Sequence, residues 1–581
     1  MLPDVAGIDR PFDYLVPPKF DDRVSVGVRV RIGLHGRRVG GWVVADRVTP
    51  PEGVVLRPIA GVTGLGPAAD LVELAGWAAW RWAGRTGAFL ATASPPRAVR
   101  ELPQAARSDA SRATSGPAGD LEEGVVAEAM AHRRSVVRLP PAADPFPLVE
   151  RAVADRAAGE GALVVVPSQD WAARTADRLG RRGHSVALLP AGWAEAAAGG
   201  RVAVGTRSAA WARVPKLSRA VVLDAHDEGH TEERAPTWNA WVVAAERAAR
   251  SGAPCLLVSP CPTLEQLDWG RLVTGSRRAE RQGWATLEVV DRRKEDPRSG
   301  LFSERLVTVA RAAGATPSER VVCVLNRTGR ARLLACGACG ELARCERCQG
   351  PLAQADTTAA FRCRRCGEER PDVCASCGSR RWRALRPGVA KARDELEALA
   401  GMPVGEVSSR TVDVNLDAPV LVGTEAVLHR IRGAGTVVFL DFDQELLAPR
   451  FRASEQALAL LARASRLVGG RGGGRIVVQT RLPGNEVIDA SLHADPGRLA
   501  AVDGERRSAL GLPPATALAL VSGSSGERYA AGLDTRAVDV LGPDDGRWLI
   551  RAPDHRVLCD ALAAAPRPPG RLRIEVDPLR A

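Results

Sequence analysis

Lysine is almost missing from this chain. Only Lys19, Lys216, Lys294 and Lys391 occur in 581 residues, and none of them follows a glycine. A phosphate-binding P-loop needs glycines that bring backbone N–H groups onto phosphate and a lysine that reaches the β- and γ-phosphates, so no copy of that motif exists here. No run of 18 apolar residues is present, which argues against a membrane-spanning helix and a membrane partner. No secretory signal is recognisable either, and a reducing cytoplasmic setting is expected. Basic charge nevertheless prevails. The formal net charge is +12, carried almost wholly by arginine, and fits a polyanion partner. The Ala/Arg/Gly-rich composition resembles the product of a GC-rich genome, so coding bias inflates part of the arginine count. A chain of this length forms several domains, each able to bury its own core.

Twelve cysteines contrast with the scarcity of lysine. Cys255, Cys261, Cys323 and Cys559 stand at unrelated spacings and read as buried thiols of a reducing compartment. The other eight form four Cys-x-x-Cys pairs within 42 residues: Cys336/Cys339, Cys345/Cys348, Cys363/Cys366 and Cys374/Cys377. Two intervening residues let one tight turn aim both sulfurs at one ion, and two such turns complete the tetrahedral S4 shell that suits zinc. Gly340, Gly367 and Gly378 follow three of the pairs, where positive φ is cheap for glycine. Eight sulfurs imply two structural zinc ions with no open position for a catalytic water. Spacing alone allows consecutive or nested pairing of the pairs.

Read in order, the chain opens with period-two alternation at Val24–Ile32 and Gly40–Val44, the mark of a small β-rich domain. Ahead of it lies Arg10-Pro-Phe-Asp-Tyr-Leu-Val-Pro17. An aromatic, a carboxylate and an aromatic in series can hold an unpaired base, but the same residues also suit a core with a turn cap. Residues 70–91 read as helical, with Trp77, Trp80 and Trp82 among alanines and arginines. Residues 101–130 read as a linker. From 131 onward, short apolar runs at 163–167, 201–207, 220–224 and 256–259 alternate with helical stretches, the grammar of a parallel α/β lobe. A second series at 320–326, 419–424, 436–441 and 475–480 is interrupted by the cysteines, which therefore sit in an insertion. Strand signals at 517–522 and 571–576 suggest a small α+β domain at the end.

Taken together, these features resemble the bacterial primosomal protein N′ family, the replication-restart helicases. The resemblance rests on the Arg10–Pro17 start, Gly205-Thr-Arg-Ser208, Ser259-Pro-Cys-Pro-Thr-Leu-Glu265, Asn326-Arg-Thr-Gly329, all eight cysteines, Gly423-Thr-Glu425, Phe451-Arg-Ala-Ser-Glu455, Leu510-Gly-Leu-Pro-Pro514 and Val576-Asp-Pro578. It implies an α/β multidomain fold. That fold has two RecA-like helicase lobes with a two-zinc insertion, a β-rich N-terminal domain and a small α+β C-terminal domain. The expected boundaries are 1–100 for the N-terminal 3′-end DNA-binding domain, 101–130 for the linker and 131–275 for the first lobe. The second lobe takes 276–335 and 380–488, the zinc insertion 336–379 and the C-terminal domain 489–581. The resemblance also implies nested zinc ligation, with Cys336, Cys339, Cys374 and Cys377 on one ion and Cys345, Cys348, Cys363 and Cys366 on the other. It places a pocket for the 3′ end of a nascent strand at Phe12, Asp13, Tyr14 and Gly36. The implied partners are forked DNA with a 3′ nascent end, single-stranded DNA, primosome proteins and the replicative helicase or its loader. Function at the nucleoid follows.

The chain departs from that family where ATP would bind. The stretch that would be the P-loop is Val137-Arg-Leu-Pro-Pro-Ala-Ala-Asp-Pro-Phe-Pro147, with no glycine or lysine and four prolines that lack an N–H. The Asp-Glu-x-His motif is Asp224-Ala-His-Asp-Glu228, so Ala225 stands where the glutamate belongs. In the late arginine motif Arg466 stands in for one arginine and Gly469 replaces the last. The interval from Pro96 to Val136 is also too short for the family's winged-helix module. These losses predict a fork-binding scaffold with no catalytic residues and no nucleotide site, a form that goes with GC-rich bacteria. The alternative is an ATP-dependent 3′–5′ DNA helicase with an unorthodox nucleotide site. Arg362, Arg364, Arg365, Arg370, Arg380, Arg381 and Arg383 lie in or beside the zinc unit. They suit phosphate contact or a solvated face, and Trp382 suits stacking on a base or a structural cover.

Overall fold

Apolar runs bounded by turn residues become parallel strands wherever helices can cover both faces of the sheet. A computed structural model of the chain describes residues 1–50, 52–106, 122–293, 295, 300–314, 316, 318–326, 334–354, 360–363, 366–384, 389–407 and 416–581. Residues 107–121 of the expected 101–130 linker, Arg327–Gly329, Arg364 and Arg365 lie outside the described residues. The chain divides into two units. One comprises Met1–Val137, Asp144–Val273 and Gly511–Pro578; the other comprises Arg138–Ala143, Thr274–Leu510 and Leu579–Ala581.

In the first unit, the N-terminal sheet runs in the order Leu2–Pro3, Arg37–Trp42, Arg29–Leu34, Gly61–Gly64, all antiparallel. Helices Ala69–Arg81 and Thr86–Ala93 follow it. A seven-stranded sheet forms the first lobe, in the order Arg271–Thr274, Arg134–Arg138, Cys255–Ser259, Leu217–Leu223, Gly161–Val165, Val202–Gly205, Val186–Leu188. Its central strands are buried on both faces, which is why they read as unbroken apolar runs. A series of ring contacts, Trp82–Phe89–Trp211–Trp238, runs from the N-terminal helices into this lobe at centroid separations of 6.2, 5.4 and 5.9 Å. The tryptophans of 77–82 are thus packing residues.

The C-terminal sheet is antiparallel in the order Asp539–Asp544, Arg547–Ala552, Ala517–Ser522, Arg573–Val576. Ion pairs attach it to the helix Ala69–Arg81. Asp577 accepts from Arg81 at 2.6 Å and from His555 at 2.7 Å, while Cys559 Sγ donates to the Arg81 carbonyl.

The second unit holds a six-stranded parallel sheet in the order Thr286–Asp291, Arg475–Thr480, Thr436–Phe439, Val321–Val324, Val420–Gly423, Val404–Val407. The cysteine-rich insertion leaves after Val321–Val324 and returns before the helix Val389–Ala400. The expected multidomain α/β class is therefore observed.

Two expected boundaries need correction. The linker does not extend to 130, because Glu123–Ala131 is a helix that buries Val125, Val126 and Ala129. Its alanines and glutamates read as polar and small, and only burial reveals the apolar face. Around the boundary expected at 489, the helices Glu486–Leu492 and Pro496–Leu510 group with the second unit, while Gly511–Pro578 groups with the first. Buried Arg507 ties the second helix to Glu455 at 2.8 Å, and Asp503, one turn back on the same helix, pairs with it at 2.7 Å.

Burial alone would raise the Asp577 carboxyl, but Arg81 and His555 outweigh it and hold the group far below its ordinary range. Its contribution to stability is complete above the unfolded value of about 4 and fades as pH falls below that. Asp577→Asn should lower the thermal midpoint at pH 7, a loss on the order of 2 kcal/mol for a pair that is only partly buried. The gap between wild type and variant should narrow below about pH 4; a gap independent of pH in calorimetry would contradict the charge-based account.

Candidate metal centres and nucleic-acid interface

Each Cys-x-x-Cys pair folds into the same turn. The N–H of the residue after the second cysteine donates to the first cysteine's carbonyl: Gly340 to Cys336 at 2.9 Å, Gln349 to Cys345 at 2.9 Å, Gly367 to Cys363 at 3.0 Å and Gly378 to Cys374 at 2.9 Å. Those four residues have φ of +77°, +57°, +76° and +72°. Glycine supplies that conformation three times, and Gln349 adopts it at the fourth turn. The turns bring the sulfurs together as two quartets, Cys336/Cys339/Cys374/Cys377 and Cys345/Cys348/Cys363/Cys366, each with all its sulfurs within 4.8 Å of one another.

Nearest sulfur pairs are 3.6 Å (Cys336–Cys377 and Cys339–Cys374), 3.5 Å (Cys345–Cys366) and 3.4 Å (Cys348–Cys363). A disulfide requires about 2.05 Å. The edge of a tetrahedron with metal–sulfur bonds of about 2.3 Å is about 3.8 Å, so each quartet can hold a metal ion and zinc fits its all-sulfur donors. The Cys363 thiol and burial push the Cys348 thiol far above its ordinary range. A divalent cation would reverse that balance by stabilising thiolates.

Local packing around the quartets explains several neighbours. The strands Leu334–Cys336 and Trp382–Ala384 pair antiparallel with Cys336 opposite Trp382, closing the first quartet. Trp382 packs edge-on against buried Phe361 at 4.9 Å, and its Nε1 donates to the Asp372 carbonyl at 2.8 Å. It acts as a structural cover. Arg370 donates to the Val373 carbonyl and lies over Phe361, whereas Arg362, Arg380 and Arg381 are exposed.

The Arg10–Pro17 segment lies along the N-terminal sheet. Phe12 exchanges backbone hydrogen bonds with Met1, its N–H to Met1 O at 2.9 Å and its carbonyl from Met1 N at 2.8 Å. Arg10 stacks over its ring at 4.9 Å. Asp13 is exposed, and Tyr14 is half-buried with its hydroxyl donating to the Gly33 carbonyl at 2.9 Å. Burial raises the Tyr14 phenol above its usual range while Arg57 opposes the shift.

Phe12 and Tyr14 are therefore partly covered, and Asp13 between them is exposed. Gly36 is instead at the exposed tip of the hairpin joining Arg29–Leu34 to Arg37–Trp42. Gly33 and Arg57 are the neighbours that sequence reading missed. Arg57 reaches Tyr14 through a two-residue parallel bridge, Tyr14–Leu15 with Arg57–Pro58, too short to leave a periodic signal.

The stretch at Val137–Pro147 has a definite structure. Helix Phe146–Ala154 begins after Pro145, and its first N–H, that of Phe146, donates to Asp144 Oδ1 at 3.0 Å. Arg178 grips the same carboxylate at 3.0 and 2.6 Å and lies 3.9 Å over the Phe146 ring. Burial would raise Asp144, yet Arg178 and the Phe146 N–H hold it below its ordinary range. A helix start with an ionised carboxylate at it has its anion position filled from within the chain.

Nearby donors are committed too, Ala142 N–H to Gly283 O at 3.1 Å and Ala143 N–H to Pro140 O at 3.0 Å. Arg466 donates through Nε to the Pro141 carbonyl at 2.9 Å. At the second motif Asp224 is buried, Asp227 Oδ1 accepts from Gly229 N–H at 2.7 Å, and His226 Nδ1 lies 2.9 Å from Ser259 Oγ. An aspartate two residues before a helix and directly before proline is a legible cap signal for Asp144. Arg178, 34 residues on, is not legible in that way.

Residues 2–95 match the family described as 3'DNA-binding domain (3'BD). The chain is 31% identical to the probable replication restart protein PriA of Mycobacterium leprae, over 94% of this chain and 91% of that protein. It is 30% identical, with the same coverage, to the probable replication restart protein PriA of Mycobacterium tuberculosis H37Rv. The replication restart protein PriA of Thermotoga maritima is 27% identical across 62% of this chain and 52% of its own length.

Metal analysis checks the quartets directly. Wild-type protein should carry two zinc ions, one per quartet. Cys363→Ser and Cys374→Ser should each lose one ion and keep the other, with Cys363→Ser unfolding part of the insertion. A single variant that loses both ions, or neither, would contradict two separate S4 sites.

Proposed function

The chain belongs to the replication restart protein PriA family, and from that premise we propose that it grips abandoned replication forks and leads to reloading of the replicative helicase without hydrolysing ATP. The 3′ nascent end of the fork enters at Phe12, Asp13 and Tyr14. There a ring can stack on the last base and the exposed carboxylate can accept from a sugar or base donor. Gly36 and the arginines of its hairpin border the entry from the exposed tip. The two sulfur quartets each take a zinc ion, which supplies folding free energy to the insertion, and that surface is available to primosome proteins. Single-stranded DNA at the junction meets the arginine-rich surface, so affinity falls with salt.

One observation carries the proposal that no ATP is used. Asp144 occupies the helix start where a nucleotide phosphate would need N–H groups and positive potential, and Arg178 pairs with it. Pro140, Pro141, Pro145 and Pro147 offer no N–H, and Ala142, Ala143 and Phe146 already donate within the chain. The lobes then serve as a scaffold that orients the N-terminal domain and the zinc insertion.

The test uses purified, zinc-loaded protein. Forks with a free 3′-hydroxyl on the leading strand should bind at least about fivefold tighter than forks with that end blocked, the equivalent of one lost polar contact. DNA-stimulated phosphate release should be absent. Phosphate release that disappears in Asp224→Ala would overturn the absence of hydrolysis, and equal binding to free and blocked ends would overturn the pocket.

A further inference from the structure

Ten large hydrophobic side chains are exposed among the described residues, and four of them, Leu15, Val48, Val54 and Val55, fall in the first 55 positions. Val55 is 91% exposed, and Val54 and Leu15 are each 54% exposed. Single exposed aliphatics are ordinary, but several in one place mark a contact surface.

The backbone explains their placement. The parallel bridge aligns Tyr14 with Arg57 and Leu15 with Pro58, and Ile59 N–H donates to Leu15 O at 3.0 Å. Val55 and Val54 come two and three residues ahead of Arg57, at the start of the bridge. Gly53, at φ +77°, makes the turn that leads into Val54 and Val55. On the other side of Tyr14 stands the hairpin whose Gly33 carbonyl accepts from the Tyr14 hydroxyl. Its tip, His35-Gly36-Arg37-Arg38, is exposed, and φ is positive at both His35 (+47°) and Gly36 (+76°), which gives a tight two-residue turn. The Phe12–Tyr14 segment is thus flanked by an apolar edge and by a cationic edge.

A duplex end presents these two chemistries side by side. Its terminal base pair has one unstacked, apolar face, and its strands carry phosphates away from it. We propose that Leu15, Val54 and Val55 form an apolar rim that lies against the outer face of the last base pair of the nascent duplex. The rim offers a base-paired 3′ terminus to the Phe12–Tyr14 pocket, and the inference rests on the reading of that pocket given above. Arg37 and Arg38 meet the phosphates behind the end. Such a rim acts at equilibrium and needs no nucleotide, which suits a chain whose phosphate position is occupied by Asp144.

The experiment compares two probes on the full-length protein. One is a hairpin duplex ending in a blunt, free 3′ terminus, with 2-aminopurine in the template strand at the last pair. The other is a single strand with the same 3′ sequence. The double variant Val54→Ser/Val55→Ser, and separately Leu15→Ser, alter only exposed side chains. Each should weaken duplex-end binding by about fivefold or more, as loss of a stacking surface does, while single-strand binding stays within about twofold. The 2-aminopurine signal should shift on binding wild type and not on binding the double variant. If wild type ignores blockage of the 3′ end, the pocket reading falls and the rim with it. If wild type prefers free 3′ ends and the variants bind both probes as wild type does, the rim alone is overturned. That second result is also what a protein-docking role for these side chains would give.

Discussion

Sulfur atoms held 3.4–3.6 Å apart cannot all be ionised without a cation among them, and the insertion has little else to hold it together. Its apolar core consists of Ala343, Leu352, Phe361 and the cysteines themselves, with Leu334 and Trp382 packed alongside. So small a core is marginal by itself, and structural zinc contributes folding free energy on the order of 10 kcal/mol. The host lobe is independent of that constraint. The strand Val321–Val324 is flanked on both sides by Val420–Gly423 and Thr436–Phe439, so the sheet closes whatever the insertion does. The pairing of the host sheet would therefore survive without a metal in the insertion.

The same economy governs the stretch from Val137 to Pro147. A helix start needs acceptors for its first N–H groups, and in a nucleotide-binding lobe the ligand's phosphates supply them. In this chain Asp144 supplies the acceptor and Arg178 supplies the counter-charge. The lobe keeps its seven-stranded sheet because that sheet is stabilised by buried Val, Leu and Ala side chains, none of which depends on nucleotide. A lobe held in this way keeps its sheet whether or not a nucleotide binds to it. Asp577, Arg81 and His555 play the matching part at the other end of the chain, where paired charges secure the C-terminal sheet to an N-terminal helix.

Much of this was legible in the residues, for local reasons. Strands buried on both faces read as apolar runs, and the runs at 163–167, 220–224, 320–326 and 436–441 overlap observed strands. Strands with an exposed face did not read so clearly. Asp539–Asp544 is largely exposed, Arg547–Ala552 is only partly buried, and Arg547–Ala552 pairs on its other side with Ala517–Ser522. The helix Glu123–Ala131 was hidden for a related reason, since Val125, Val126 and Ala129 gain weight only when something covers them. Arg57 was invisible because a two-residue bridge has no period.

By itself the sequence determined what depends on neighbours along the chain: four cysteine turns with their left-handed fifth residue, the parallel-sheet grammar, and the proline-filled stretch with no glycine or lysine. Tertiary structure alone decided what depends on distant residues meeting. Which turns share a quartet, which arginine neutralises Asp144, and which loop borders Tyr14 are set by packing across tens of positions. The physical reason is range. Turn geometry and hydrogen bonding to the next residues act over one or two peptide units, whereas charge pairing and burial act through space and are indifferent to chain separation.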